Sequence, residues 1–231
     1  MEEKLHDLRK ILSRLGPTLV AFSGGVDSSF LLAVAAEVLR DQVIALMTVS
    51  SSTPPKDAKQ AQMLADALNI QLLIIPHDEL AIPEYAANPT NRCYFCKNSL
   101  YDICQREAQR LSLQAIADGV NLDDLSDYRP GIQAAAEYSV VHPLVDARFS
   151  KAEIRTASKL LGLPTWEKPA SPCLSSRVPY GTPITARMLS QIAQTESFIH
   201  TQGFQELVCV ITEPLHELKY VRKTLSIFPW R

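Results

Sequence analysis

The hydrophobic pattern of this chain predicts an α/β architecture: a doubly wound parallel sheet followed by a smaller C-terminal region that is cut short. Two observations carry that prediction. Short apolar runs alternate with longer segments whose apolar residues recur every three or four positions, which places helices between strands and calls for parallel pairing with right-handed crossovers. After the first run, Ser23-Gly24-Gly25-Val26-Asp27-Ser28-Ser29 joins strand to helix through two glycines and three hydroxyls. Sheets of this kind bind ligands in loops at the carboxyl ends of their strands.

Taken in order, Leu5, Leu8, Ile11, Leu12 and Leu15 share one face of a first helix. A strand follows at 18–22, then a helix to about residue 40. The alternation continues with a strand at 43–49, a helix from about Lys56 to Leu68, a strand at 71–75, a helix over about 97–110 and a strand at 113–117. Ser150 and Glu153 have the spacing of a capping box for a helix near 151–161, which Gly162-Leu163-Pro164 ends. Thr185 is the expected cap of a last long helix reaching about Gln202, with Gly203 beyond it. A boundary is expected in the proline-rich stretch 164–183, which gives a first domain over 1–165, a C-terminal region over 166–207 and a separate tail over 208–231.

Composition narrows the function. With 231 residues, 46% of them hydrophobic, the chain can bury a full core. A net charge of −2 exerts no pull toward nucleic acid or an anionic membrane, so neither partner is expected. There is no run of 18 apolar residues, and Met1-Glu2-Glu3-Lys4-Leu5-His6-Asp7 is too charged for a signal peptide, so a cytoplasmic location is expected. Five cysteines in a reducing compartment point to metal ligands, nucleophiles or core filling rather than disulfides.

The 23–29 loop is suited to pyrophosphate. Gly24 and Gly25 let the backbone come close to an anion, and free N–H groups at the following helix start point at negative charge. Ser23, Ser28 and Ser29 add hydroxyl donors, and Asp27 is placed to position the magnesium that accompanies ATP. No lysine follows the glycines as in a Walker loop, and the Gly-x-Gly-x-x-Gly dinucleotide fingerprint is absent. The wording S-G-G-V-D-S-S resembles the PP-loop of the ATP pyrophosphatases, whose sheet is of the adenine-nucleotide alpha-hydrolase type. That resemblance implies cleavage of ATP between its α and β phosphates, with adenylation of a substrate oxygen.

Three further segments carry chemistry. Cys93-Tyr94-Phe95-Cys96-Lys97 has C-x-x-C spacing, which lets two thiolates reach one zinc or iron–sulfur centre, although two packing cysteines near a helix start would read the same. Cys173 lies between Pro172 and Leu174-Ser175-Ser176-Arg177 in a stiff irregular loop, where Arg177 could lower its pKa. Cys93, Cys96 and Cys173 can therefore meet at one site. Asp118-Gly119-Val120-Asn121-Leu122-Asp123-Asp124 follows its strand at the same sheet edge, so Gly119, Asn121 and Asp123 are candidates to face the nucleotide, a polar turn being the alternative. Asp127, Arg129 and Arg177 are candidates for substrate phosphate or carboxylate, with surface ion pairing as the equal alternative, and Lys97 joins Arg129 and Arg177 in the substrate set. Met47 reads as strand core and is also counted among the ATP-lining positions. Cys104 reads as structural, His142 as a loop or strand-end residue, and Trp166 as packing.

The PP-loop, N-P-T-N-R-C-Y-F-C-K, D-G-V-N-L-D-D-L-S-D-Y-R-P-G and S-P-C-L-S-S-R-V-P-Y-G stand in this order over roughly residues 1–207. Together they resemble the sulfur transferases that mature the nickel-pincer nucleotide cofactor of lactate racemase. The resemblance implies adenylation of a carboxylate of a pyridinium dicarboxylate mononucleotide and its conversion to a thiocarboxylate. Some members surrender the sulfur of a cysteine at the position of Cys173 and keep dehydroalanine; others hold a [4Fe-4S] cluster on three cysteines, the arrangement that Cys93, Cys96 and Cys173 look more like. Implied with it are ATP, magnesium, a small-molecule nucleotide substrate and a homo-oligomer. After Leu207 the family wording stops. A strand of Arg-x-Arg-x-His-Gly type is replaced by Val208-Cys209-Val210-Ile211-Thr212-Glu213, and suitably chosen codons shifted by one base restore Arg-Val-Arg-Tyr-His-Gly. The tail is therefore expected to be translated out of frame, its strand left without sheet partners. The alternatives are an amide synthetase that uses ammonia and needs neither Cys173 nor Cys93, a tRNA thiolase, and a nucleotide-binding protein without turnover.

Overall fold

A computed structural model describes residues 1–126, 130–169, 172–202, 207–212 and 217–222. Its elements run α1 (Glu2–Leu15), β1 (Thr18–Ala21), α2 (Val26–Leu39), β2 (Val43–Val49), α3 (Pro55–Ala67), β3 (Gln71–Pro76), α4 (Pro83–Ala86), α5 (Arg92–Arg110), β4 (Ala115–Asp118), α6 (Pro130–Glu137), α7 (Pro143–Asp146), α8 (Lys151–Leu160), α9 (Ala186–Thr201), β5 (Leu207–Thr212) and β6 (Glu217–Arg222). The first four strands form one parallel sheet in the order β3-β2-β1-β4. Val141 adds a parallel bridge beside Ala117 of β4.

Side-chain alternation along the strands divides the interior. Val20, Ala45, Met47 and Ala117 share a core with Leu8 and Leu12 of α1, Phe30 and Leu31 of α2, Leu64 of α3 and Ile154 of α8. Leu19, Ala21, Leu46 and Ile116 face the other way, onto Tyr101 and Cys104 of α5 and Ala134 and Ala135 of α6. With helices on both faces, β1 is buried along its whole length, which is why Thr-Leu-Val-Ala shows no polar alternation. The expected doubly wound sheet is the one observed.

Most expected elements stand within a few residues of their predicted limits. Ser150 and Glu153 form the capping box, with Ser150 N–H donating to Glu153 Oε2 at 2.9 Å, and Met188 N–H donates to Thr185 Oγ1 at 3.3 Å. The helix expected from about 97 begins at Arg92 instead, so the C-x-x-C pair lies in its first two turns. α4, α6 and α7 are additions: each begins with proline, α4 and α7 are single turns, and the buried positions of α6 are alanines with little hydrophobic contrast.

A third hydrophobic cluster joins residues 174–192 to the first region: Leu174, Val178, Ile184, Leu189 and Ile192 pack with Tyr85 of α4 and with Leu80, Ile82 and Phe95. Backbone bonds join the two regions, Ile184 N–H to Ala86 O at 2.8 Å and Gly181 N–H to Asn88 O at 2.9 Å. The fully buried Asn88 amide donates to Pro179 O and Thr182 O at 2.8 and 2.9 Å. Beyond α9, the strand expected at 208–211 without a partner has one: β5 pairs antiparallel with β6, Val208 opposite Val221 and Val210 opposite Lys219.

One glycine sets the geometry of the sheet edge. A Cβ at Gly119, just past β4, would lie 2.7 Å from Ser28 N and 3.0 Å from Ser28 Cα, both backbone atoms of the first turn of α2. Gly119 thus permits the exit of β4 to touch the start of α2 and is spent on that contact. Gly119→Ala is expected to lower stability by about 1–3 kcal/mol, because the backbone on one side must move. A lowered urea midpoint with an unchanged slope checks this, and an unchanged midpoint would show that the edge can relax.

Candidate functional site

The PP-loop leaves β1 through Phe22, whose N–H still donates to Leu46 O at 2.8 Å. Gly24 turns the chain in the left-handed region (φ 68°), which a residue with a side chain adopts only at a cost. Gly25 is the extended N-cap of α2 and has no capping side chain. Ser23 and Ser28 brace the loop: their hydroxyls are 3.1 Å apart, Gly25 N–H donates to Ser23 Oγ at 3.3 Å, and Ser28 Oγ donates to Gly25 O at 3.3 Å. Two loop oxygens, Asp27 Oδ1 and Ser29 Oγ, are buried with no partner among the described residues. Orphaned polar atoms beside an uncapped helix start are the local signature of a ligand-binding loop.

Two lysines from far along the chain reach this loop, and neither is marked by its sequence context. Lys151, at the start of α8, pairs with Asp27 Oδ2. Lys168 Nζ donates to Gly24 O and to Asp57 Oδ1, each at 3.1 Å. Burial pushes the Asp27 carboxyl up, and the charge of Asp124 adds to that, outweighing the bond and charge of Lys151 and the charge of Arg155. The other expected nucleotide positions are structural in their contacts. Met47 is buried in the sheet core. Asn121 is buried, with Oδ1 accepting Asp123 N–H at 3.0 Å, while Asp123 Oδ2 accepts Lys151 N–H at 2.7 Å.

The cysteine side of the sheet edge centres on Glu79, a buried carboxylate in the loop after β3 that sequence reasoning passed over. Its Oε2 accepts from Ser50 Oγ at 2.8 Å and Ser52 Oγ at 2.6 Å, and its Oε1 accepts from Cys96 Sγ at 3.0 Å. Leu174 N–H donates to Ser52 O at 2.9 Å and brings the Cys173 loop alongside. Burial raises the Cys96 thiol well above its ordinary pKa, with Glu79 and Cys173 adding and Lys97 opposing. Burial also raises the Cys173 thiol, where Arg92 opposes and Glu79 and Cys93 add. Cys104, buried in the core, is pushed up to about 12.

The three cysteines therefore lie in one another's fields, with Cys93 exposed and Cys96 and Cys173 half-buried. Among the described residues, however, no group of three or more His, Cys, Asp or Glu side chains is disposed to hold a metal ion. Cys96 is engaged by Glu79 as a thiol donor, a bond that a metal-bound thiolate, having lost its proton, could not make. A [4Fe-4S] cluster on Cys93, Cys96 and Cys173 thus does not fit the residues as they stand.

Arg177 is placed differently from its expected role. It is buried, paired with Glu196 at 2.9 and 3.2 Å, and donates to Pro172 O at 2.7 Å and Cys173 O at 3.1 Å, so it shapes the loop from beneath. The cation acting on Cys173 is Arg92. Lys97 sits over the Tyr101 ring, 5.2 Å from its centroid. Asp127 and Arg129 lie outside the described residues.

At the end of β4, Asp118 is buried and accepts from Tyr101 OH at 2.5 Å and Val120 N–H at 3.1 Å, with His142 Nδ1 at 2.7 Å. Burial alone would raise this carboxyl, but the His142 bond and the nearby charge of Lys97 hold it below its ordinary value. The same bond raises the His142 pKa against its own burial. His142 is a strand-end loop residue, as expected, and is also the partner of a buried carboxylate.

The sequence pattern of the NAD synthase family matches residues 6–90. An uncharacterised protein of Synechocystis is 45% identical over 207 residues, covering 90% of this chain and 77% of its own. The pyridinium-3,5-bisthiocarboxylic acid mononucleotide synthase of Lactiplantibacillus plantarum is 34% identical over 201 residues, 87% of this chain and 70% of its own. An uncharacterised protein of Methanocaldococcus jannaschii is 28% identical over 181 residues, 78% of this chain and 68% of its own. No helix among the described residues is long and apolar enough to cross a membrane.

The Asp118–His142 pair has a signed pH dependence. The raised His142 contributes stability that is complete below its unfolded pKa of about 6.5 and is lost as pH rises through its folded value; the lowered Asp118 contributes above about 3.9 and loses it as pH falls through its folded value. His142→Gln is expected to cost about 1–2 kcal/mol near pH 5.5 and less at pH 9. Urea unfolding at the two pH values checks this, and an equal cost at both would remove the charge linkage.

Proposed function

Because the chain belongs to the PP-loop family of ATP-utilising proteins, in the branch that holds the pyridinium-3,5-bisthiocarboxylic acid mononucleotide synthase, we propose that it is an ATP-dependent sulfur transferase acting on a carboxylate of a pyridinium mononucleotide. The observation that carries this reading is the docking of the Cys173 loop on the sheet's ligand-binding edge, where Leu174 N–H bonds Ser52 O. An electrophile made at the PP-loop and a sulfur nucleophile then share one edge.

A carboxylate is a poor electrophile because its leaving group would be oxide. Attack of its oxygen on the α phosphorus of ATP forms a C–O–P link and expels pyrophosphate, after which AMP is the leaving group. The helix start and the loop hydroxyls hold the phosphates. Asp27, with one buried oxygen unpartnered, fits a magnesium ligand, and the ion would neutralise charge on departing pyrophosphate. The Cys173 sulfur, its proton released, bonds the carbonyl carbon as the C–O bond breaks and AMP leaves. Loss of the Cys173 α proton to a base then breaks the Cβ–S bond, giving thiocarboxylate and dehydroalanine. No step passes through a cluster.

The NAD synthase match over 6–90 favours, as a second reading, a ligase that captures the adenylate with ammonia. Under that reading ammonium would accelerate AMP release and Cys173 would be dispensable.

Asp27→Asn is expected to lower substrate-dependent pyrophosphate release at least about 100-fold with the fold retained, since the change removes charge from a half-buried loop position. Pyrophosphate release at the wild-type rate would sink the role of Asp27. Cys173→Ala is expected to keep pyrophosphate release and lose thiocarboxylate, and mass spectrometry of the turned-over wild type should find dehydroalanine at 173. Iron retained after anaerobic reconstitution, and lost on Cys93→Ser, would replace the single-use donor with a cluster.

A further inference from the structure

We propose that Lys168 is a polyphosphate-binding residue of the nucleotide site, supplied by the segment that leads to Cys173. The inference rests on the ATP-using reading of the PP-loop and assigns to that site a cation from outside the strand–loop–helix unit.

The PP-loop itself carries no basic residue, and its one charged side chain is the acid Asp27. A triphosphate held there needs a cation, and two lysines contact the loop. Lys151 pairs with the loop's own acid and its side chain is 37% exposed, whereas Lys168 bonds the loop backbone itself and is the more buried cation. Its side chain is 16% exposed and that of Asp57 is 9% exposed, so the ammonium is held out of bulk water, where its charge acts strongly on a neighbouring anion. Gly24 O and Asp57 Oδ1 take two of its three protons, and the third remains for a phosphate oxygen. The bond to Gly24 O also fixes the peptide between the two glycines, and with it the direction of the loop's N–H groups.

Its position is built from behind. The Arg155 guanidinium donates to Trp166 O at 2.6 Å and to Lys168 O at 2.9 Å, clamping the chain that carries the lysine, and Lys168 N–H donates to Thr165 O at 3.0 Å. Cys173 follows five residues later. The segment that brings sulfur to the sheet edge thus also reaches the phosphates, which ties placement of the sulfur loop to the nucleotide.

The rival role for Lys168 is neutralisation of Asp57, and the two separate by experiment. Dissociation constants for magnesium ATP, inorganic pyrophosphate and AMP are measured by calorimetry on wild type, Lys168→Met, Asp57→Asn and the double variant. Lys168→Met is expected to weaken ATP and pyrophosphate at least about tenfold and AMP less than about threefold, while Asp57→Asn changes all three by less than about threefold. The double variant, which leaves no carboxylate buried without its cation, should match Lys168→Met and serves in its place should Lys168→Met not fold. Equal weakening by Lys168→Met and Asp57→Asn, or loss of AMP in step with ATP, would overturn the proposal. Wild type that binds neither ATP nor pyrophosphate would overturn the ATP-using reading first, before any variant is compared.

Discussion

The contact between the exit of β4 and the first turn of α2 constrains everything at the ligand edge. Gly119 lies so close to Ser28 that any side chain there would strike backbone. The loop after β1 and the loop after β4 are therefore one surface. From that surface Asn121, Asp123 and Asp124 bind one another's backbone and side chains, and Asp123 caps the start of α8. α8 in turn delivers Lys151 to Asp27. The turn after β4 thus builds the frame that presents the helix, and the helix presents the cation.

The sheet was legible because its evidence is local. Thr18–Phe22 and Val43–Val49 are apolar runs bounded by breakers, and a strand buried on both faces can hardly look otherwise. The PP-loop was legible because glycine and hydroxyl spacing is itself the chemistry. Lys151, Lys168 and Glu79 were not. Each matters through a partner more than 15 residues away, and a lone lysine or glutamate between loop residues has no periodicity to set it apart. Arg177 shows the second of its two readings, ion pairing. Next to a reactive-looking cysteine it reads as an activating charge, yet Glu196 on α9, 19 residues on, has claimed it.

Charge at the cysteine edge is arranged to keep protons on sulfur. Glu79 adds negative charge beside Cys96 and Cys173, and burial acts in the same direction on both thiols. A thiol kept protonated is a poor nucleophile and a poor ligand, so sulfur chemistry here depends on a base or on arriving positive charge. Glu79 accepts from Cys96 and from two serine hydroxyls at once, so the carboxylate and the thiol are held as one bonded group.

Arg92 is the counterweight. Buried near the start of α5, it donates to Ser175 O at 3.1 Å and to Asn88 Oδ1, and lies over the Tyr180 ring at 5.5 Å; every one of these partners is neutral. A guanidinium whose bonds go to dipoles keeps its field, and that field reaches Cys173. The same residue stands immediately before Cys93 in the first turn of α5, while Tyr85 OH, 2.6 Å from Ser175 Oγ, fastens the other side of the Cys173 turn. The C-x-x-C turn and the Cys173 loop are thus held together by one buried cation. Whatever the sulfur does at this edge, moving either cysteine segment disturbs the charge that the other depends on.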